Sequence, residues 1–190
     1  MNKGFVLGNG QSRRSVSLDE ISKHGRIYGC NALYRDWLPH ALVATDKPIA
    51  EKIQRIGYAK QHKFYTRYPW DHSGALQVPP QYFGFSSGPI AAAIAAAENE
   101  VVFLIGFDLG STSKKKFNNI YADTEFYKKS TDRATPGDNW AQQLIKVAKD
   151  FPDVQFIRII SDESKYYELN YLKNFDSLSI KSFSKLLNTL

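Results

Sequence analysis

The chain has 190 residues, of which 43% are hydrophobic and 23% charged, and its net charge is +6. That length and balance suit one soluble domain with a full core, and the single cysteine, Cys30, excludes an internal disulfide and a multi-cysteine metal site. No apolar run is long enough to span a bilayer and the first residues lack a signal-peptide pattern, so a cytoplasmic protein with no membrane span is expected. The modest positive charge suits acidic ligands such as nucleotides. No recognised nucleic-acid motif accompanies it, so nucleic acid is not an expected partner.

In chain order, residues 4–7 read as a short apolar strand running into Gly8-Asn9-Gly10, with Ser12 just beyond. Gly8 and Gly10 carry no side chain, so a ligand is expected to approach the backbone N–H groups there. Asn9 adds an amide able to read a base, a ribose or a phosphate. The spacing is not the three-glycine dinucleotide fingerprint. Ser17 caps a short helix to about residue 23, with Glu20 at the capping-box position. Residues 26–29 are a second strand, which leaves the sheet at Cys30-Asn31. Residues 41–44 are a third, followed by Thr45-Asp46-Lys47-Pro48, where Pro48 suits the first turn of a helix to about residue 57.

Residues 62–85 are aromatic-rich and irregular, with one strand near residues 63–66. Ser86-Ser87-Gly88-Pro89 then opens an alanine-rich helix to about residue 98, with Ser87 as its expected N-cap. Residues 101–107 form the clearest strand, a continuous apolar run of the kind buried on both faces of a parallel sheet, and it ends in Gly106-Phe107-Asp108. Residues 111–137 are a polar loop of roughly twenty-five residues, longer than ordinary connections and therefore functional or mobile. A helix over Asp138–Asp150, a strand over residues 154–160 and a C-terminal amphipathic helix around Phe183, Leu186 and Leu187 complete the chain.

This order predicts one Rossmann-like α/β domain with a mainly parallel central sheet and helices on both faces. Residues 1–160 form the nucleotide-binding part and residues 161–190 a helical extension of the same domain. Asn9, Asn31, Asp46, Ser87 and Asp108 all fall at strand ends or helix starts on one rim, the edge where such sheets bind ligands. The helix after Ser87 offers its N-terminus to a phosphate. The same residues have plainer uses: Gly8-Asn9-Gly10 as a bare turn, Asn31 and Ser87 as caps, Asp108 as a turn residue, Trp140 as a core anchor, and Cys30 as a small buried residue.

The motifs Gly8-Asn9-Gly10-x-Ser12, Cys30-Asn31-x-x-Tyr34, Ser87-Gly88 before an alanine-rich helix and Gly106-Phe107-Asp108 resemble, in patches over about residues 3–160, the bacterial sialyltransferases of glycosyltransferase family 42. Related phage domains look similar too. The resemblance implies a CMP-sugar donor and transfer to an acceptor hydroxyl without a metal or other cofactor, the acceptor staying unassigned. It implies Gly8, Asn9, Gly10 and Ser12 along the nucleotide, with Asp46 beside them, and Asn31 near its phosphate and sugar. It also implies Ser86, Ser87 and Gly88 on the cytidine side, Asp108 near the ribose, and Tyr121 on the departing phosphate. Asp46 stands where the family has Asn. Family members often assemble as tetramers, so a homo-oligomer is among the expectations.

The family's base is a histidine in the loop before the penultimate helix, and residues 121–140 contain none. A carboxylate can replace it, since an attacking hydroxyl needs only a positioned proton acceptor; Asp123, Asp132 and Asp138 are the candidates. A second family tyrosine falls on Gly110. Two alternatives remain open. One is a Mg-dependent pyrophosphokinase, similar to archaeal pterin enzymes, with Asp46 and Asp108 on the metal. The other is a nucleotide-binding or structural module that has lost catalysis.

Overall fold

The computed structural model describes residues 1–111, 114–161, 164 and 167–189. Residues 112–113 of the long loop and 162–163, 165–166 and 190 of the C-terminal segment lie outside the described residues. Apolar runs become strands where helices cover one or both of their faces, and two edge strands are added by pairing. They are β1 (Lys3–Leu7), β2 (Arg26–Cys30), β3 (Ala41–Val43), β4 (Phe64–Thr66), β5 (Leu76–Gln77), β6 (Val101–Ile105), β7 (Gln155–Ile160) and β8 (Phe175–Ser179). Among the described residues they form one eight-stranded sheet in the order β5-β4-β3-β2-β1-β6-β7-β8. Every neighbouring pair is parallel. The chain winds outward from β1 to β5, then returns to the other side of β1 for β6. The winding reverses between β1 and β6, so a crevice opens at their carboxyl ends.

The helices are α1 (Leu18–Ser22), α2 (Lys47–Arg55), α3 (Ser87–Ala96), α4 (Asp138–Asp150) and α5 (Ile180–Leu187). They cover both faces. Val6, Tyr28, Val102 and Leu104 pack with α3 and α4; Phe5, Leu7, Phe103 and Ile105 pack with α1, α2 and α5. Phe5 stacks on Phe103 at 5.1 Å between ring centres, and Phe183 of α5 closes on Phe103 at 5.4 Å. α3 is buried nearly all round, which its alanines allow: methyl groups let the helix axis approach β1, β2, β3 and β6 closely. The fold class read from the sequence is the fold observed.

Two strands depart from that reading. β5 is two exposed residues paired with β4, too short and too polar to show any alternation. β8 lies in the C-terminal segment that was expected to be helical; only its Phe175 is buried, so its sequence carries almost no strand signal. Parallel pairing with β7 makes it a strand, and the extension therefore adds an edge to the sheet as well as α5. Ser17 caps α1 by accepting from the Glu20 N–H, as expected. Ser87 is instead the first residue of α3, with Ser86 in the capping position.

At the amino edge of the sheet, Glu98 accepts from the Tyr28 hydroxyl (2.7 Å), Lys63 (3.1 Å) and Arg26 (3.4 Å), and lies 2.9 Å from His40. Burial alone would raise its pKa. Hydrogen bonds from Tyr28 and Lys63, with the charges of Lys63 and His40, outweigh burial and hold it at about 2 rather than the ordinary 4.5. A carboxyl depressed in the folded state adds stability that is complete above its unfolded pKa and is lost as pH falls through the folded one. Glu98→Gln should therefore flatten the fall of Tm between about pH 4.5 and 2. Thermal unfolding across that range checks it, and an unaltered slope would show that Glu98 contributes nothing.

Candidate functional site at the sheet switch point

A cavity of about 620 Å³ opens where β1, β2, β3 and β6 end. Ligand pockets are commonly about 300–1,000 Å³, so its size fits a nucleotide with a small appended group. Each strand delivers its following loop to the wall: Gly8-Asn9-Gly10 after β1, Cys30-Asn31 after β2, Thr45-Asp46 after β3, and Gly106-Phe107-Asp108 after β6. Ser86, Ser87 and Gly88 add the start of α3. Parallel strands must end on the same side, so residues far apart in sequence converge here.

The role expected of the glycines is corrected. The N–H groups of Gly8 and Gly10 donate to Ile105 O and Gly106 O, each at 2.8 Å, and are not free for a ligand. A Cβ on Gly8 would lie 2.6 Å from Gly106 O, and one on Gly10 would collide with the Asp108 carboxylate. Gly106 has φ +75°, and its Cβ would lie 2.8 Å from Gly8 O. These glycines let the β1 and β6 loops pack backbone against backbone.

Asp108 ties that packing together. It is 2% exposed. Its Oδ2 accepts from the Ser12 N–H (3.1 Å) and the Asn118 amide (3.2 Å), and its Oδ1 from the Ser164 hydroxyl (3.4 Å). Beneath the turn, the fully buried Arg158 of β7 donates to Phe107 O (2.8 Å) and Asp108 O (3.1 Å). Ser12 is buried beside Asp108 but does not line the cavity, and its hydroxyl has no partner among the described residues.

Ser87 ties the other wall. Its Oγ accepts from the Thr45 N–H (3.0 Å), lies 3.0 Å from Thr45 Oγ1, and donates to Asn31 Oδ1 (3.0 Å). Asn31 adopts φ +53° to turn its amide inward. Ser86 receives the Trp140 indole N–H at 3.0 Å and donates its own N–H to Gln143 at 2.8 Å, so α4 braces α3. Ser86 makes no side-chain capping bond to α3, and the first turn of that helix lines the cavity. Asp46 is an exposed carboxylate on the cavity wall that makes no capping bond to α2.

The three residues expected to act on the reacting groups lie elsewhere. The Tyr121 hydroxyl donates to Asp36 and accepts from Arg13 (2.9 Å), beneath the cavity rather than on its wall. Burial pushes its pKa upward. Asp123 is exposed and accepts from the Ser130 N–H (3.0 Å), and Asp138 is exposed at the start of α4; neither lines the cavity. Cys30 is buried and its thiol is pushed up to about 12 by that burial, which leaves it unreactive.

The long loop supplies residues that sequence reasoning missed. Phe117, Asn118, Asn119, Phe126, Tyr127 and Lys128 all reach the cavity. The loop is tied down at several points: Asn118 accepts from the Gln11 N–H (2.8 Å), the Ile120 N–H donates to Asn9 O (2.8 Å), and Tyr127 accepts from the Ala32 N–H (3.2 Å). An antiparallel bridge between Lys116 and Arg133 narrows its base. The paired asparagines at 118–119 and the interspersed aromatics were the available signal.

No protein-family model, no curated protein and no solved structure matches this chain. Its class is defined by architecture: a Rossmann-like α/β domain with a cavity at the topological switch point of a parallel sheet.

Proposed function

We propose that this chain is a sialyltransferase-like glycosyltransferase that binds a nucleotide-activated sugar, in the simplest case CMP-linked, in the switch-point cavity. The observation that carries the reading is convergence. Nine of the ten residues expected on the nucleotide line one cavity of suitable volume; Ser12 is the exception. The uncapped first turn of α3 supplies N–H groups and a partial positive charge for the phosphate. Phe107, Phe126, Tyr127 and Trp140 supply ring surface for a base. Asn31, Leu109 and Phe126 line the cavity with positive φ, a backbone cost of about 1–3 kcal/mol each that clusters at functional sites.

The base falls to Asp46, the unbonded carboxylate on the wall, rather than to Asp123 or Asp138. In the reaction, an acceptor oxygen bonds to the anomeric carbon as the bond from that carbon to the donor phosphate breaks. The bonding pair leaves on the nucleotide, and the acceptor proton passes to Asp46. Lys47 and Lys128, both on the wall, offset the charge that builds on the phosphate.

One set of observations favours a second reading, a binding module without turnover. Tyr121 is engaged by Arg13 and Asp36, and Asp123 and Asp138 stand off the cavity. The pyrophosphokinase reading fits less well, because both Asp108 oxygens already accept hydrogen bonds and Asp46 alone does not make a Mg²⁺ site. Calorimetric titration with CMP, then with ATP plus Mg²⁺, tests the set. CMP binding without metal, followed by hydrolysis of CMP-sialic acid, is the expected result. Binding without any hydrolysis selects the module, preference for ATP with Mg²⁺ selects the kinase, and binding of neither removes the nucleotide reading.

A further inference from the structure

A second cavity, of about 460 Å³, lies beside the first and shares Thr45 and Lys47 with it. Those two residues flank Asp46, so the carboxylate assigned as base stands at the junction. The outer wall is Tyr68 and Trp70, 64% and 41% exposed, and with Phe83 against Tyr68 they make a contiguous exposed aromatic patch of the kind that marks a binding surface. They are not on a loose loop. Buried Gln54 of α2 holds their backbone from below: its amide donates to Tyr68 O (3.3 Å), and its carbonyl accepts from the Trp70 N–H (2.6 Å) and the Ser73 hydroxyl (3.1 Å). Tyr68 also meets Phe83 edge-on at 5.7 Å.

We infer that this second cavity is the acceptor subsite and that it takes a neutral saccharide; the acceptor role rests on the transferase reading above. The chemistry selects that class. Exposed rings offer flat apolar faces to the C–H side of a pyranose, while Glu51 and Thr66 on the same wall offer oxygens to its hydroxyls. Lys47 and Glu51 lie 3.9 Å apart, and their opposite charges leave no net charge to recruit an ion. Thr45 and Lys47, which line both cavities, stand between a ring seated on Trp70 and the donor cavity that Asp46 lines. The gln-anchored backbone keeps the platform in place before the sugar arrives, which lowers the ordering cost of binding.

The experiment uses the full chain and three neutral disaccharides, lactose, maltose and N,N′-diacetylchitobiose, with sialyllactose as the charged comparison, read by saturation-transfer NMR. At least one neutral disaccharide is expected to bind the wild type. Trp70→Ala, which keeps the backbone N–H to Gln54, should weaken it about tenfold or more, and Glu51→Gln should weaken it less. Unchanged Tm and CMP binding in both variants show that the fold and first cavity survive. No transfer from any neutral disaccharide, binding of sialyllactose alone, or undiminished binding by Trp70→Ala would overturn the inference. CMP binding without disaccharide binding refutes this subsite and leaves the donor reading standing. Trp70-dependent disaccharide binding without CMP binding does the reverse.

Discussion

Gly106→Ala is expected to destabilise the protein by about 2–6 kcal/mol and to abolish tight packing of the β1 and β6 loops. The first part is conformational: at φ +75°, an L side chain costs about 1–3 kcal/mol. The second is steric. The new methyl would stand 2.8 Å from Gly8 O and 3.0 Å from Arg13 Cβ, and backbone cannot yield as a flexible side chain does. Overpacking of that kind costs about 1–3 kcal/mol. For a chain of this length each kcal/mol lowers Tm by about 2–4 °C, so the shift should be large in a thermal melt. Gly84→Ala is the control, since its methyl would meet nothing within 4 Å. Equal Tm values for the two variants would refute the loop-on-loop account of the glycines. Because Gly106, Gly8 and Gly10 all line the cavity, the same variant should also weaken CMP binding.

Asp46→Asn is expected to lower turnover by about 10²–10⁴-fold while leaving CMP affinity within a few-fold of wild type. Removing a general base removes a proton acceptor needed only as the acceptor hydroxyl attacks, so the loss appears in kcat rather than in donor binding. Asn matches Asp in shape, and Asp46 makes no capping bond whose loss would disturb α2. The measurement pairs initial rates with calorimetry on the same preparation. A rate unchanged by the substitution would sink the role of Asp46. Asp123→Asn and Asp138→Asn serve as comparisons and should leave the rate near wild type, since neither side chain reaches the cavity.

Residues that share one rim were legible from local pattern, because each either follows an apolar strand or opens a helix. Asn9, Asn31, Asp46, Ser87 and Asp108 were placed at one edge by that logic, and all five line the cavity. What those side chains do was not legible. Ser87 reads as an N-cap from its neighbours, yet its hydroxyl spans Thr45 and Asn31 from two other loops. Asp108 reads as a ribose contact, yet it is occupied by Ser12, Asn118 and Ser164. Arg158, in the middle of an apolar strand, gave no sign that it would support the Asp108 turn from 50 residues away.

By itself, then, the order of apolar runs, caps and turn residues determined the α/β class, the helices from α1 to α5 and the edge at which the site would lie. Those features depend on local periodicity and on the rule that parallel strands end together. Tertiary structure alone decided three others. It made strands of Leu76–Gln77 and Phe175–Ser179, whose pairing comes from a neighbouring edge and not from their own residues. It turned Gly8 and Gly10 from ligand approaches into contacts with Gly106 of the β6 loop, because only the fold sets those two backbones against each other. And it drew Tyr121 beneath the cavity while carrying Phe117, Asn118 and Tyr127 to its wall, because hydrogen bonds to the β1 and β2 loops, absent from any local pattern, fix the course of the long loop.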